Sequence, residues 1–153
     1  MPPTQGNNTF SIGNSPNNTQ NLGTPWAVTQ LLLPSGAVTL SGSTIRFNAN
    51  PQAAIGKLSN NAATVINNAL QMAGPTRFYT DSGDITLAGQ ISGGGPFVKD
   101  GTGTVVVSGN NIYAGGTMVS KGVLSISNES NLGNAYSPIF LSGGTLLAST
   151  SAQ

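Results

Sequence analysis

The acidic side chains are the residues of this sequence whose chemistry could support hydrolysis. There are four of them: Asp81, Asp84, Asp100 and Glu129. Glycoside hydrolysis typically uses two cooperating carboxylates. Asp81 and Asp84, however, flank a glycine, and an Asp in such a turn commonly hydrogen-bonds its own backbone. We therefore favour a structural role in turns, both for this pair and for Asp100 before its glycine. The Asp81–Asp84 turn is also the one hint of a calcium site, which would need more clustered oxygen ligands.

The other patterns that could support catalysis lack the residues or elements that they would need. The sequence contains no histidine and no cysteine, so a serine nucleophile would need Lys99 or Lys121 as its base. We expect Lys99 to be structural, with its stem on apolar surface and its amine in water. Residues 93–95 are three glycines, but no helical pattern follows them, as a phosphate loop would require. We predict no enzyme activity, no catalytic residue, no cofactor and no metal.

The aromatic residues could stack on sugar rings, although such residues more often fill cores. A flat, regular threonine array would instead favour ice binding, and Thr102 with Thr104 makes only one pair. Glycan or ice binding is therefore kept as an alternative. The aromatic row would comprise Trp26, Phe47, Phe78, Tyr79, Phe97, Tyr113 and Tyr136.

Composition places the chain outside several functional classes. Only 6% of its 153 residues are charged, and the net charge is +1. The few cations are scattered, whereas phosphate binding needs several on one face, so we predict no nucleic-acid partner. The first residues are polar and uncharged, unlike a signal peptide, so an exported form would be a fragment or a mature product.

Short apolar pieces closed by glycine are the elements that must position these residues. Four copies of one such piece occur, at Val38–Gly42, Ile85–Gly89, Val105–Gly109 and Ile139–Gly143. Each alternates with period two, which is typical of a strand with one buried face. Trp26–Leu33 is predicted as one further strand. Asn50–Leu58 departs from the pattern, and we favour a loop there over a short helix beginning at the Asn-Pro pair.

Two topologies suit this pattern, a meander of hairpins and a coil of stacked rungs. Gly-Asn turns would suit hairpins. Strands this short bury little area individually, however, and stacking them as rungs makes one continuous core. We therefore predict an all-β fold, a parallel β-helix or β-solenoid with irregular rung lengths. The side chains expected in its core are Leu40, Ile85, Leu87, Val105, Val107, Leu124, Ile126, Leu141 and Leu146.

The chain is predicted to divide into a polar arm and a coil. Residues 1–25 are rich in Asn, Pro and Thr, and residues 26–153 form the predicted β-helix. Within the coil, residues 84–147 contain the most regular glycine spacing.

That glycine spacing resembles the autotransporter-associated β-strand repeat of Gram-negative type V secretion passengers. The repeat reads approximately G-x-G-x-L-x-K-x-G-x-G-T-L-x-L-x-G-x-N-x-Y-x-G-G-T-x-V-x-x-G-x-L-x-V. Phe97, Val105 and Val107 stand where it has leucines. The principal matching positions are Gly93, Gly95, Lys99, Gly101, Gly103, Gly109, Asn111, Tyr113, Gly115, Gly116, Thr117 and Gly122.

The resemblance implies a right-handed β-helix at the cell surface or released from it. It further implies a role as scaffold and secretion-folding module that presents an adhesive surface, and a parent protein with an outer-membrane β-barrel. The alternative from another class is a self-assembling extracellular protein that associates end to end, because the ends of a β-helix expose unpaired strand edges. The host or surface ligand is left unidentified.

Overall fold

A computed structural model of the chain describes residues 9–11, 18–22, 26–33, 36–49, 54–57 and 62–149. Within them the strands are two to five residues long and belong to three sheets. In hydrogen-bonding order, sheet A contains β1 (Thr9–Ser11), β4 (Gln30–Leu33), β7 (Ala54–Lys57), β10 (Thr76–Thr80), β13 (Phe97–Asp100), β15 (Thr117–Val119) and β17 (Ile139–Leu141). Sheet B contains β2 (Asn18–Leu22), β5 (Val38–Gly42), β8 (Thr64–Ile66), β11 (Ile85–Leu87), β14 (Thr104–Val107), β16 (Val123–Ile126) and β18 (Thr145–Ala148). Sheet C contains β3 (Trp26–Val28), β6 (Ile45–Phe47), β9 (Leu70–Met72) and β12 (Ile91–Ser92).

The chain passes through sheets C, A and B in turn, and each circuit is one rung of a coil. β3, β4 and β5 form one such rung, and β6, β7 and β8 form the next. After β14 the third side is made by residues 108–116 and then 127–138, which include a single 3-10 turn at Glu129–Leu132. The described strand pairs are parallel. This confirms the β-solenoid and excludes the hairpin meander, whose neighbours would pair antiparallel.

Period-two alternation decides which side chains enter the coil. In β10, Thr76, Phe78 and Thr80 are buried while Arg77 between them is exposed. The register stacks Ile55, Phe78 and Lys99 at one inward position of successive rungs. Each rung therefore buries its inward side chains against those of its two neighbours, which is the source of stability in a solenoid.

The core is one continuous column of apolar side chains. Seven of the nine predicted core residues are buried in it: Leu40, Ile85, Leu87, Val105, Val107, Leu124 and Ile126. The prediction is wrong for Leu141, which is 57% exposed. Leu141 pairs with the buried Val119 and so holds an inward position, but it lies in the last described rung, where no rung covers it. Leu146 is half-buried for the same reason.

Two local predictions are corrected by the coil, and one copy of the repeated piece lies in a different sheet from the others. Trp26–Leu33 is two strands, because the chain turns at Thr29 from sheet C into sheet A. Ala54–Lys57, expected in a loop or short helix, is strand β7, and the rest of that segment lies outside the described residues. Ile139–Gly143 belongs to sheet A, whereas the other three copies of the repeated piece lie in sheet B.

Parts of the predicted polar arm pair with the coil. β1 and β2 run parallel to β4 and β5, respectively, and extend sheets A and B by one strand each. The division of the chain into an arm and a coil stays a prediction. In the part of the chain that the structure describes, no helix has the length and apolar character needed to cross a membrane.

Candidate functional site: the glycine-rich repeat

The glycine-rich repeat occupies two consecutive rungs. Its first rung, β13 and β14, pairs with β10 and β11 of the preceding rung, and its second rung, β15 and β16, pairs with β17 and β18 of the following rung. Its glycines lie in the turns between these strands. The repeat is therefore surrounded by coil on both sides, and its residues face other rungs.

Backbone from an adjacent rung lies against most of these glycines. Gly101 has φ +77°, and a Cβ there would lie 2.4 Å from the carbonyl oxygen of Thr80. Gly122 has φ +64°, and its Cβ would lie 2.3 Å from the carbonyl oxygen of Gly101. Side chains are excluded at such distances, and positive φ strains residues other than glycine. A Cβ would likewise come within 2.8 Å of backbone atoms at Gly93, Gly95, Gly109, Gly115 and Gly116.

Gly103 is less confined. A Cβ there would first meet the Thr80 Cγ2 atom, at 3.0 Å. Its backbone instead connects rungs, since its N–H donates to the Thr80 carbonyl at 2.8 Å and its carbonyl accepts from Val123 at 3.2 Å.

The Lys99 side chain is fully buried at the corner between sheets A and B. Its Nζ donates to the carbonyl oxygens of Asp100 at 2.8 Å, Gly101 at 2.7 Å and Lys121 at 3.1 Å. The expectation that this amine stays in water is wrong, because three carbonyls replace the water. Since Lys121 belongs to the following turn, Lys99 ties two successive rungs together.

The charge of Lys99 is tuned by opposing effects. Burial lowers the pKa of Lys99 to about 8, while the carboxylates of Asp100 and Asp81 act to raise it. The amine is therefore mostly protonated at pH 7 and can donate all three hydrogen bonds.

Lys57 is a second buried lysine, and it differs from Lys99 in the hydrogen bonding of its amine. Among the described residues its Nζ has no hydrogen-bond partner, and the side chain is completely buried. Burial lowers the pKa of Lys57, against a smaller raising effect of the Asp84 carboxylate. The register places Lys57 beside Thr80, whose hydroxyl closes its own turn by donating to the Ser82 and Gly83 carbonyls.

Asn111 and Asn131 replace the missing third strand with side-chain hydrogen bonds. The Asn111 Oδ1 atom accepts from the Ile91 N–H at 2.7 Å, and its Nδ2 donates to the Asn131 carbonyl at 2.7 Å. Asn131 Nδ2 donates to the Gly109 carbonyl at 2.9 Å. Sequence reasoning missed Asn131, although it lies one rung length of 20 residues after Asn111.

Tyr113, in the irregular segment 108–116, is buried inside the coil. Its hydroxyl shares a 2.6 Å hydrogen bond with the Thr117 hydroxyl, and both side chains are buried. Burial raises the pKa of Tyr113 to about 12, so the phenol stays neutral. Phe78, Phe97 and Tyr113 stack as an internal column, with ring centroids 4.1 Å and 5.9 Å apart.

The aromatic row considered for sugar stacking is not a surface row. Phe47, Phe78, Phe97 and Tyr113 are buried in the core, whereas Tyr136 is almost fully exposed. The side chain of Trp26 lies outside the described residues. The buried rings cannot present their faces to a sugar.

The acidic residues serve turns and surface pairs. Asp100 Oδ1 accepts from the Gly101 N–H at 2.8 Å, and its Oδ2 lies 3.7 Å from Arg77 Nε. The Asp81 carboxylate accepts a hydrogen bond from the Tyr79 hydroxyl, which raises the pKa of Tyr79. Among the described residues, no group of three or more acidic, histidine or cysteine side chains could hold a metal ion.

Two comparisons with known proteins find a match. The family described as passenger-associated-transport-repeat matches residues 97–126. The adhesin BmaC autotransporter of Brucella suis biovar 1 (strain 1330) is 36% identical over 70 residues, which are 44% of this chain and 2% of that protein. The match thus spans a very small part of that relative. No solved structure matches significantly.

The repeat, the relative and the parallel coil agree with one another. Residues 97–126 are the two rungs in which the glycines and Lys99 hold the corners. The repeat and the autotransporter relative indicate a location at the surface of a Gram-negative bacterium or outside the cell. The chain carries an autotransporter passenger repeat within a parallel β-helical coil, and the repeat and the relative support an extracellular passenger segment.

Proposed function

We propose that this segment is a non-catalytic scaffold whose repeat secures folding of the passenger during secretion. The observation that carries the proposal is that the residues of the repeat contact neighbouring rungs. Its glycines admit the neighbouring backbone, and Lys99 and Asn111 bond across rungs. These residues are thus committed to stacking, and the buried side chains of Lys99 and Asn111 are unable to contact a substrate. The autotransporter relationship implies that the parent protein also has an outer-membrane β-barrel.

The scaffold would present its outer face as an adhesive surface. The relative is named an adhesin, which supports this role here. The outward side chains of the coil repeat at about 4.8 Å along its axis, the spacing of neighbouring strands, so a ligand can contact several rungs at once.

Surface display of the chain ahead of an outer-membrane β-barrel tests the scaffold role. We expect Gly101→Val to reduce the amount displayed, because its Cβ would lie 2.4 Å from the Thr80 carbonyl oxygen. Gly94→Val is the matched control, since no atom lies within 4 Å of a Cβ there. Protease accessibility on intact cells measures display, and normal display of Gly101→Val would refute the role. Adhesion of displaying cells above cells carrying the barrel alone tests the adhesive surface separately.

End-to-end association is a second candidate, favoured by the last described rung. Ile139 and Leu141 hold inward positions there, yet they are 44% and 57% exposed. A second copy that adds β1 and β2 to the edges of β17 and β18 would continue sheets A and B and cover both side chains. Burying apolar area in this way favours association.

Light scattering over a concentration series tests the association. We expect the double variant Ile139→Lys with Leu141→Lys to stay monomeric. Phe140→Lys is the control, because Phe140 is similarly exposed but pairs with the outward Met118. A wild-type chain that remains monomeric at high concentration would remove this candidate.

A further inference from the structure

A groove of about 970 Å³ follows the outer side of the coil where sheet C turns towards sheet A. Its lining comes from four successive rungs, with Ala27, Arg46, Gln71 and Gly94 as representatives. Four rungs span about 14 Å at roughly 4.8 Å per spacing. The groove therefore suits an extended ligand aligned with the axis of the coil.

Close packing of the turns excludes larger side chains at glycines along this groove. A Cβ on Gly93 would lie 2.1 Å from the carbonyl oxygen of Met72, one rung away. The turns also nest closely, since a Cβ on Gly74 would lie 2.9 Å from the Ala49 Cα. Larger side chains could not occupy these positions without displacing backbone.

Charge and hydrogen-bonding groups in the groove indicate its ligand. Arg46 is exposed and is the one charged residue among the described residues that line the groove. Within the described part of the chain its guanidinium makes no ion pair or hydrogen bond, in contrast to Arg77, which faces Asp100. A guanidinium prefers a planar acid that it can bind through two hydrogen bonds. The neighbouring amides of Asn48 and Gln71 can donate to and accept from hydroxyl groups.

Features that a peptide ligand would need are absent from this groove. An added peptide strand pairs with a free sheet edge, but the groove crosses strands that are already paired. The two large apolar residues of the lining, Phe47 and Met72, point into the core and are fully buried. They offer no pocket to a side chain of a bound peptide.

We propose that the groove binds a linear acidic glycan, with a sugar carboxylate on Arg46 and sugar hydroxyls on Asn48 and Gln71. The proposal rests on the adhesive role above and names the ligand class for it. An anionic sugar could carry a carboxylate or a sulfate, and the planar carboxylate matches the guanidinium better.

Calorimetric titration of the purified chain with oligogalacturonate tests the proposal. Neutral maltooligosaccharide and sulfated dextran oligomers form the comparison arms. We expect oligogalacturonate to bind, with an affinity that falls as salt is added. Arg46→Gln should weaken binding by about tenfold, the loss of one charge-assisted hydrogen-bonded pair. Stronger binding of the sulfated oligomers would overturn the carboxylate assignment.

Two glycine variants separate the groove from the rest of the surface. Gly94→Trp should block binding because Gly94 lines the groove, and the fold should tolerate it because an added Cβ there meets no atom within 4 Å. Gly36→Trp is the matched control, as Gly36 is equally open but lies outside the lining. Unchanged thermal melts show that both variants fold. Binding that survives Arg46→Gln and Gly94→Trp, or no binding by the wild-type chain, overturns the groove as the binding site. If displaying cells still adhere in that case, the adhesive role stands without the groove.

Discussion

Replacing each buried lysine by methionine should change stability in opposite directions. Both Lys57 and Lys99 are completely buried, and methionine preserves most of the apolar stem. The two amines differ in their partners: Lys99 Nζ donates to three carbonyls, whereas Lys57 Nζ has no hydrogen-bond partner in the part of the chain that the structure describes. The pair therefore isolates the contribution of those three hydrogen bonds.

The expected magnitudes follow from these contacts. Lys99→Met removes one buried and two part-buried hydrogen bonds to carbonyls, at a cost of about 1 kcal/mol each at the lower end of the usual range. We use the lower end because the variant no longer has to bury a charge, so the expected loss is about 3 kcal/mol. Lys57→Met removes an unpaired buried amine and should stabilise the fold by about 1 kcal/mol or more. For a chain of this length, 3 kcal/mol corresponds to a fall of roughly 6–12 °C in melting temperature.

Urea denaturation at pH 7, followed by far-ultraviolet circular dichroism, measures both changes. Hydrogen exchange of the amides in residues 97–126 gives a local measurement for Lys99→Met. If both variants shift stability in the same direction, or if Lys99→Met leaves it unchanged, the carbonyl contacts of Lys99 do not hold the rungs together.

Three further predictions concern the same rungs. Val107→Asp should unfold at least the surrounding rungs, because an unpaired buried carboxylate costs several kcal/mol, whereas Asp100→Asn should matter far less; equal melting temperatures would contradict the core assignment. Because the pKa of Lys99 is about 8 in the folded chain and 10.5 for an ordinary lysine, the unfolded chain binds more protons between these values. Stability should therefore rise from pH 8 to pH 10, more steeply in the wild type than in Lys99→Met, and parallel urea-midpoint profiles would contradict this. Gly101→Ala should lower the melting temperature by several degrees while Gly94→Ala should not, because only Gly101 has positive φ and a backbone oxygen 2.4 Å from the added Cβ; equal calorimetric melts would count against the turn packing.

The inward faces of the coil were predictable because the same physical rule acts in every rung. Alternation places side chains such as Ile85 and Val105 inward, and the sequence shows this alternation directly. Leu141 obeys the same rule and is nevertheless exposed. Its burial depends on the rung stacked above it, and that information lies outside its own strand. Local patterns therefore predict which way a side chain points, but not whether another rung covers it.

The order of the sheets was harder to read from the sequence. Ile139–Gly143 has the same local pattern as Val105–Gly109, but the two pieces lie in different sheets. Residues 108–116 and 127–138 replace a strand of sheet C by an irregular segment, which shifts the phase of the repeat. Side-chain hydrogen bonds of Asn111 and Asn131 stabilise that replacement. The useful signal there is the 20-residue spacing of the two asparagines, which matches one rung.

The role of Lys99 follows from a competition that composition cannot resolve. A lysine normally keeps its amine in water, and a buried ammonium is costly unless hydrogen bonds compensate for the lost solvation. The turns at Gly101 and Gly122 provide that compensation, because without side chains they bring three carbonyl oxygens close to one point. A Cβ on Gly122 would lie 2.8 Å from Lys99 Nζ. The lysine and the glycines of the repeat therefore depend on one another: the glycines make room for the ammonium, and the ammonium satisfies the carbonyls that their tight turns would otherwise leave unpaired.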